Sequence, residues 1–372
     1  MSFGRLGWNR SITQIYRPNQ VLWKKLLILP GDGVGPEVCN EARKVIDSLS
    51  NLSFELDIDI DLIGGASIDK LKTPLSSKVL DKARNADSIL LGAVGGKKWD
   101  SLSPSERPEK GLLELRSKLN FFANLRPAIT FKEVIHSSSL KESKINELDI
   151  LIVRELTSGI YFGEPRKKDD DYAFNTMSYK AKEIERIVDV AFKSALERDK
   201  RLCSVDKANV LEVSQLWREI VDKKSSDYPD VKVEHMLVDN AAMQLVREPK
   251  QFDVIVSSNL FGDILSDISA MLTGSIGMLP SASLNESLKG LYEPVHGSAP
   301  DIAGKGVVNP IATILSVAML MKYSFNEPTI FNKINDAVRK VLSEGYATED
   351  IAQKDSKVIS TSEMGDRIAS YV

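Results

Sequence analysis

Leu26-Leu-Ile-Leu-Pro-Gly-Asp-Gly-Val-Gly-Pro-Glu37 is the stretch whose reading decides the fold. Its first four residues form an apolar run stopped by Pro30 and Gly31, the pattern of a buried strand in an α/β sheet. Val38, Ala42, Val45, Ile46 and Leu49 follow at helical spacing, and Pro36 suits the first turn of that helix. Strand, glycine turn and helix in succession are the ingredients of a dinucleotide fingerprint. The glycines stand at 31, 33 and 35 instead of in Gly-x-Gly-x-x-Gly order, so the turn alone does not place a pyrophosphate.

Outward from this unit the alternation of strand and helix continues. Phe54–Ile63 alternates apolar and acidic residues, which predicts a half-buried strand with one wet face. Ser88–Val94 predicts a buried strand that runs into Gly95-Gly96-Lys-Lys-Trp-Asp100, at the strand end where α/β sheets collect ligands. Further strands are predicted at Leu148–Val153, Val231–Val238 and Phe252–Val256. Lys180–Arg198 reads as a long amphipathic helix, and 310–323 and 331–345 as closing helices. The charged segment Arg166–Asp171 reads as a mobile loop. No internal repeat or low-complexity tract interrupts the chain.

At 372 residues there is room for two domains or one large one. The 49 basic and 52 acidic residues leave a net charge of −3, which argues against nucleic acid as the main partner. No apolar run approaches the roughly 18 residues of a membrane span. Cys39 and Cys203 show no metal-ligand spacing and cannot form a disulfide framework, which points to a reducing compartment. Residues 1–25 hold Arg5, Arg10, Arg17, Lys24 and Lys25 and no acid. Such a leader reads either as an N-terminal extension of a cytoplasmic protein or as a mitochondrial or plastid transit peptide.

The second informative stretch is Asn259-Leu-Phe-Gly-Asp-Ile-Leu-Ser-Asp267. On a helix Asp263 and Asp267 share one face, with Cβ atoms roughly 5–6 Å apart. Two carboxylates at that spacing repel unless a cation lies between them, and oxygen-only ligands suit Mg²⁺ or Mn²⁺. Spacing alone leaves open two solvated aspartates. Arg116, Arg126 and Arg154 stand at or near predicted element ends. Singly each reads as a surface ion pair; together they suit a substrate with two carboxylates. Lys207, among small and apolar residues, is either a base or an exposed amine. In 292–309, Gly297, Gly304 and Gly306 allow close backbone approach to a ligand, and Asp301 could accept both hydroxyls of an NAD ribose.

Taken in order, these motifs resemble the isocitrate/isopropylmalate family of β-decarboxylating dehydrogenases. The motifs that carry it are Leu-Pro-Gly-Asp-Gly-Val-Gly-Pro-Glu, Glu-Lys-Gly-Leu-Leu-Glu-Leu-Arg, Phe-Ala-Asn-Leu-Arg-Pro, Val-Arg-Glu-Leu-Thr-Ser-Gly-Ile-Tyr-Phe-Gly, Asp-Lys-Ala-Asn-Val, the 259–267 motif and His-Gly-Ser-Ala-Pro-Asp-Ile-Ala-Gly. The resemblance runs from about Leu26 to the C-terminus. It implies a two-domain, three-layer α/β/α fold with a mixed sheet that is not a Rossmann fold. One domain would comprise 26–121 with 274–372 and bind the cofactor. The other, 122–273, would hold the dimer contact, substrate and metal.

By resemblance, Arg116, Arg126 and Arg154 bind substrate carboxylates, and Tyr161 and Lys207 are the acid/base pair. Asp239, Asp263 and Asp267 hold Mg²⁺ or Mn²⁺, Asp239 also touching substrate. Gly96 and Glu109 line NAD, with Gly297, Ser298, Ala299, Pro300, Asp301, Ile302, Ala303, Gly304 and Asn309. The family is homodimeric, so Lys207 and Asp239 would reach into the neighbouring chain's site. Leu112 and Leu113 offer apolar surface where isocitrate enzymes carry a small polar residue. That selects the isopropylmalate branch over isocitrate, homoisocitrate or tartrate, with leucine biosynthesis as its setting. The family also contains non-catalytic regulatory subunits, but every expected site residue is present here.

Overall fold

The computed structural model describes residues 22–50 and 52–372. Among the described residues ten strands form one mixed sheet: β1 (Trp23–Gly31), β2 (Glu55–Ile60), β3 (Ser88–Ala93), β4 (Ala123–Ile129), β5 (Asp149–Glu155), β6 (Arg201–Asp206), β7 (Lys232–Leu237), β8 (Val254–Ser257), β9 (Pro280–Leu284) and β10 (Gly290–Pro294). Their order is β2-β1-β3-β10-β9-β4-β5-β8-β6-β7. The strands of each flank pair in parallel, whereas β10, β9, β4 and β5 pair antiparallel in the middle. The order separates this sheet from a Rossmann sheet, as the family resemblance implies.

The helices that matter for the site are α1 (Gly35–Ser48), α2 (Pro108–Lys118), α3 (Ala181–Leu196), α4 (Val238–Arg247), α5 (Asn259–Leu272), α6 (Ile311–Tyr323), α7 (Pro328–Ser343) and α8 (Thr361–Tyr371). Helices α1, α3, α6, α7 and α8 pack into one core with Leu125, Leu151 and Val153. Ile150 and Ile152 point the other way, into a core shared with α4 and α5. Strand periodicity therefore sends Arg154 to the α5 side. Helix α6 is buried along nearly its whole length, as an all-apolar helix must be.

Pro127 sits inside β4, in the middle of the sheet, where a missing N–H should break a ladder. It is tolerated because β9 pairs only with Ala123–Leu125, so beyond that point β4 has a neighbour on one side alone.

Three expectations need correction. The leader assigned to 1–25 is too long, because Trp23–Lys25 already belong to β1; its first 21 residues lie outside the described residues. The segment Arg166–Asp171 is not a plain loop: Lys167–Lys168 pairs antiparallel with Ala173–Phe174 as a short exposed hairpin. The strand expected to run to Val238 ends at Leu237, and Val238 and Asp239 open α4.

Candidate active site

The site is built where α5 crosses β4 and β5. Arg154, 3% exposed, donates from Nε (3.1 Å) and Nη2 (2.8 Å) to Asn259 Oδ1 and from Nη1 to Asp263 Oδ1 (2.5 Å). Asn259 Nδ2 in turn donates to Ser158 O at 3.1 Å. Arg126 Nη1 lies 3.4 Å from both Asp263 Oδ1 and Asp267 Oδ1, so the two carboxylates of α5 converge on one cation. Arg116 Nη2 meets Glu293 Oε1 at 2.5 Å, while its buried Nε has no partner among the described residues.

These guanidiniums are no surface pairs. Burial lowers the pKa of Arg154, nearby Arg126 lowers it further, and Asp263 opposes both. Arg126 is lowered by burial, opposed by Asp263. Three crowded cations, one with an orphaned donor among the described residues, have the charge and donor geometry that suit a multivalent anion.

Gly262 explains how α5 approaches β5 so closely. A Cβ there would stand 2.8 Å from Arg154 Cγ and 2.9 Å from its Cβ. Replacing Gly262 with alanine should therefore cost about 1–3 kcal/mol through overpacking, read as a lower Tm, and should displace the Arg154 fork, read as a raised substrate KM.

Tyr161 closes the site from a short turn, its hydroxyl donating to Asp263 Oδ2 at 3.0 Å. Burial raises the phenol pKa, and the Asp263 charge adds to this, so the proton stays on the oxygen at neutral pH. Glu155 fixes the turn before it: its buried carboxylate accepts from Thr157 N–H and Oγ1–H, both at 3.0 Å, and from Ser158 N–H at 2.9 Å. Neither Glu155 nor Asn259 was singled out from the sequence. Asn259, at the head of the 259–267 motif, was the findable one.

On α2 the spacing places Glu109, Leu112, Leu113 and Arg116 on neighbouring turns of one face. A Cβ on Gly95 would come within 2.4 Å of Glu109 Oε1. The helix thus runs from the Gly95–Gly96 loop to the arginines, with half-buried Leu112 and Leu113 between.

Lys207 and Asp239 do not join this cluster; Lys207 Nζ instead donates to Asp239 Oδ1 at 2.7 Å. Among the described residues no three acidic, histidine or cysteine side chains of one chain gather around a metal position.

The loop 297–309 is open. A Cβ on Gly297, Gly304 or Gly306 would touch nothing within 4 Å. Asp301 is exposed, Ser298 is buried, and Ala299, Ile302 and Ala303 pack on Val34, Val38 and Val308. Asn309 is committed elsewhere: Nδ2 donates to Asp350 (3.1 Å) and Oδ1 caps α6 at Ile311 N–H (3.0 Å). His296, absent from the expected set, has a buried Nε2 with no partner among the described residues, and burial lowers its pKa.

A sequence model described as isocitrate/isopropylmalate dehydrogenase matches residues 25–368. The chain belongs to the isocitrate/isopropylmalate dehydrogenase family. It is 56% identical over 355 residues to a 3-isopropylmalate dehydrogenase of Saccharophagus degradans, covering 94% of this chain and 99% of that protein. A 3-isopropylmalate dehydrogenase of Pseudomonas savastanoi pv. phaseolicola is 57% identical over 354 residues, covering 93% and 98%. The crystal structure of isocitrate dehydrogenase from Methylococcus capsulatus matches with a TM-score of 0.82 at 35% identity, over 94% of this chain and 99% of that one.

The residues fit the groups this family implies. For a divalent cation the donors are hard carboxylate oxygens, and Asp263 and Asp267 already converge. Desolvation raises the pKa of Asp267, Arg126 opposes this, and the neighbouring Asp263 charge adds to it. For a dinucleotide the fit rests on the bare glycine cradle at Gly297, Gly304 and Gly306 and on the orphaned His296 Nε2.

Proposed function

We propose that this chain catalyses the NAD-dependent oxidation and decarboxylation of 3-isopropylmalate to 4-methyl-2-oxopentanoate, the keto acid of leucine. The observation that carries the reading is the cluster of three arginines, with the free Arg116 Nε, beside the half-buried Leu112 and Leu113. The arginines suit the two carboxylates of the substrate. Its isopropyl group gains roughly 1.5–3 kcal/mol on burial against leucine. Isocitrate would place a third carboxylate there unpaired, which costs more.

In the mechanism, Arg116, Arg126 and Arg154 hold the carboxylates and align C2 and C3. Asp263 and Asp267, with Asp239 of a second chain, would hold Mg²⁺ or Mn²⁺, which acidifies the C2 hydroxyl and stabilises the enolate charge. Gly96–Glu109 and 297–309 would hold NAD⁺, whose nicotinamide would supply the hydride acceptor for C2. A second chain's Lys207 takes the hydroxyl proton, and Tyr161, kept protonated, delivers a proton to C3 after CO₂ leaves.

Two chains are needed because of the exposed faces of α4 and α5. Ile264, Ile268 and Met271 form an apolar stripe at i, i+4 and i+7, with exposed Ile264 and Met271, directly beside Asp263 and Asp267. On α4, Asp239 shares its face with exposed Met243 and Val246. Pairing these stripes in a homodimer brings Asp239 of one chain toward Asp263 of the other. No helix among the described residues is long and apolar enough to cross a membrane. Two free, buried cysteines suit a cytoplasmic setting.

The test is NADH formation at saturating metal with 3-isopropylmalate, isocitrate, homoisocitrate and tartrate. 3-Isopropylmalate should give the highest kcat/KM by about 100-fold or more, with one CO₂ per NADH and no turnover in excess EDTA. Preference for isocitrate, or full activity in EDTA, refutes the reading.

A further inference from the structure

The turn between β1 and α1 carries two carboxylates that bond loops distant in sequence. Asp32, 4% exposed, accepts from the backbone N–H of Gly65 (2.8 Å), Ala66 (2.7 Å) and Gly95 (2.9 Å). Glu37, in the first turn of α1, accepts from the N–H of Gly304 and, at 3.2 Å, of Gly306. Between them Val34 N–H donates to Ser298 O at 2.8 Å. The Gly95–Gly96 loop and the 297–309 loop therefore meet on two sides of one turn.

At two of its glycines the turn is packed tightly against backbone from other loops. A Cβ on Gly31 would stand 1.9 Å from Ala93 O, and one on Gly33 1.9 Å from Ser298 O. Their φ values of 72° and 58° add the left-handed backbone that glycine adopts freely. In a dinucleotide fingerprint these glycines would face pyrophosphate; here they face protein backbone. A buried carboxylate satisfied only by amides is costly to maintain. Both amides bonded by Glu37 lie on the 297–309 loop, and Asp32 ties Gly95 of the other loop to Gly65 and Ala66 of the helix Gly64–Leu71.

We propose that Asp32 and Glu37 are positioning residues for the dinucleotide, Asp32 fixing the backbone at Gly95 and Glu37 fixing it at Gly304 and Gly306. The inference rests on reading those loops as the NAD site. The sequence that mimics a phosphate-binding turn acts instead as the clamp that sets the two loops at a fixed separation.

Glu37 is the position to test, because it is less buried than Asp32 and its loss threatens the fold less. NADH is titrated by fluorescence into purified parent, Glu37→Gln and Glu37→Ala, without substrate or metal. Glu37→Ala should weaken NADH binding about tenfold, and Glu37→Gln, which keeps one acceptor, by less. KM for NAD⁺ should rise in parallel, while kcat and the hydroxy-acid KM stay within about twofold and the melting temperature stays near the parent's. Parental NADH affinity in both variants overturns the proposal. So does an equal loss in every parameter, which would mark Glu37 as a fold residue. A parent that binds no NADH overturns the cofactor reading beneath it.

Discussion

Replacing Arg154 with methionine is expected to lower kcat/KM by about a thousandfold or more and to lower Tm as well. The side chain holds Asn259 with two donors and Asp263 with a third. Its loss leaves Asn259 Oδ1 without its two donors and takes the nearer of two guanidiniums from Asp263, and hydrogen bonds to a charged group are worth about 1.5–3 kcal/mol each. It also removes one of the three guanidiniums proposed to hold the substrate carboxylates. Arg154→Lys separates the two effects: charge is retained, but a point ammonium cannot hold Asn259 and Asp263 together. Its Tm should recover more than its kcat/KM. Methionine at 154 with near-parental kcat/KM would remove Arg154 from the substrate site.

Lys207→Met should behave in the opposite manner. Its ion pair with Asp239 is solvent-accessible, so losing it should change stability by no more than about 1 kcal/mol. If Lys207 is the base for the substrate hydroxyl, as proposed, the substitution should lower kcat by about 10²–10⁴-fold while KM changes little. Stopped-flow hydride transfer and steady-state kcat should fall together. Unchanged turnover would remove it as the base.

The contrast between these residues follows from what a sequence can carry. The β1–α1 unit was legible because apolar periodicity and glycine punctuation are local. The Asp263/Asp267 pair was legible because helical spacing alone puts both on one face. Arg154 was legible as a candidate, but not as a buried fork, since Asn259 and Asp263 reach it only when α5 crosses β5. Glu37 was invisible as a functional residue because its acceptors meet Gly304, 267 positions away. Asn309 shows the converse: its motif marked it for the cofactor, and the fold engages its side chain at α6 and Asp350. Family motifs locate a loop, and only the packing says which atoms of it are free.

Lys207 and Asp239 pair with each other and do not join Asp263 and Asp267, so the proposed active site requires two copies of the chain. The decisive measurement is subunit complementation between Lys207→Met and Asp267→Asn, each inactive alone. In hybrid dimers one site carries both lesions and the other carries neither, so a randomised equal mixture should recover about a quarter of parental activity. A mixture that stays as inactive as its components would show that each site is contained within a single chain, and would contradict the account.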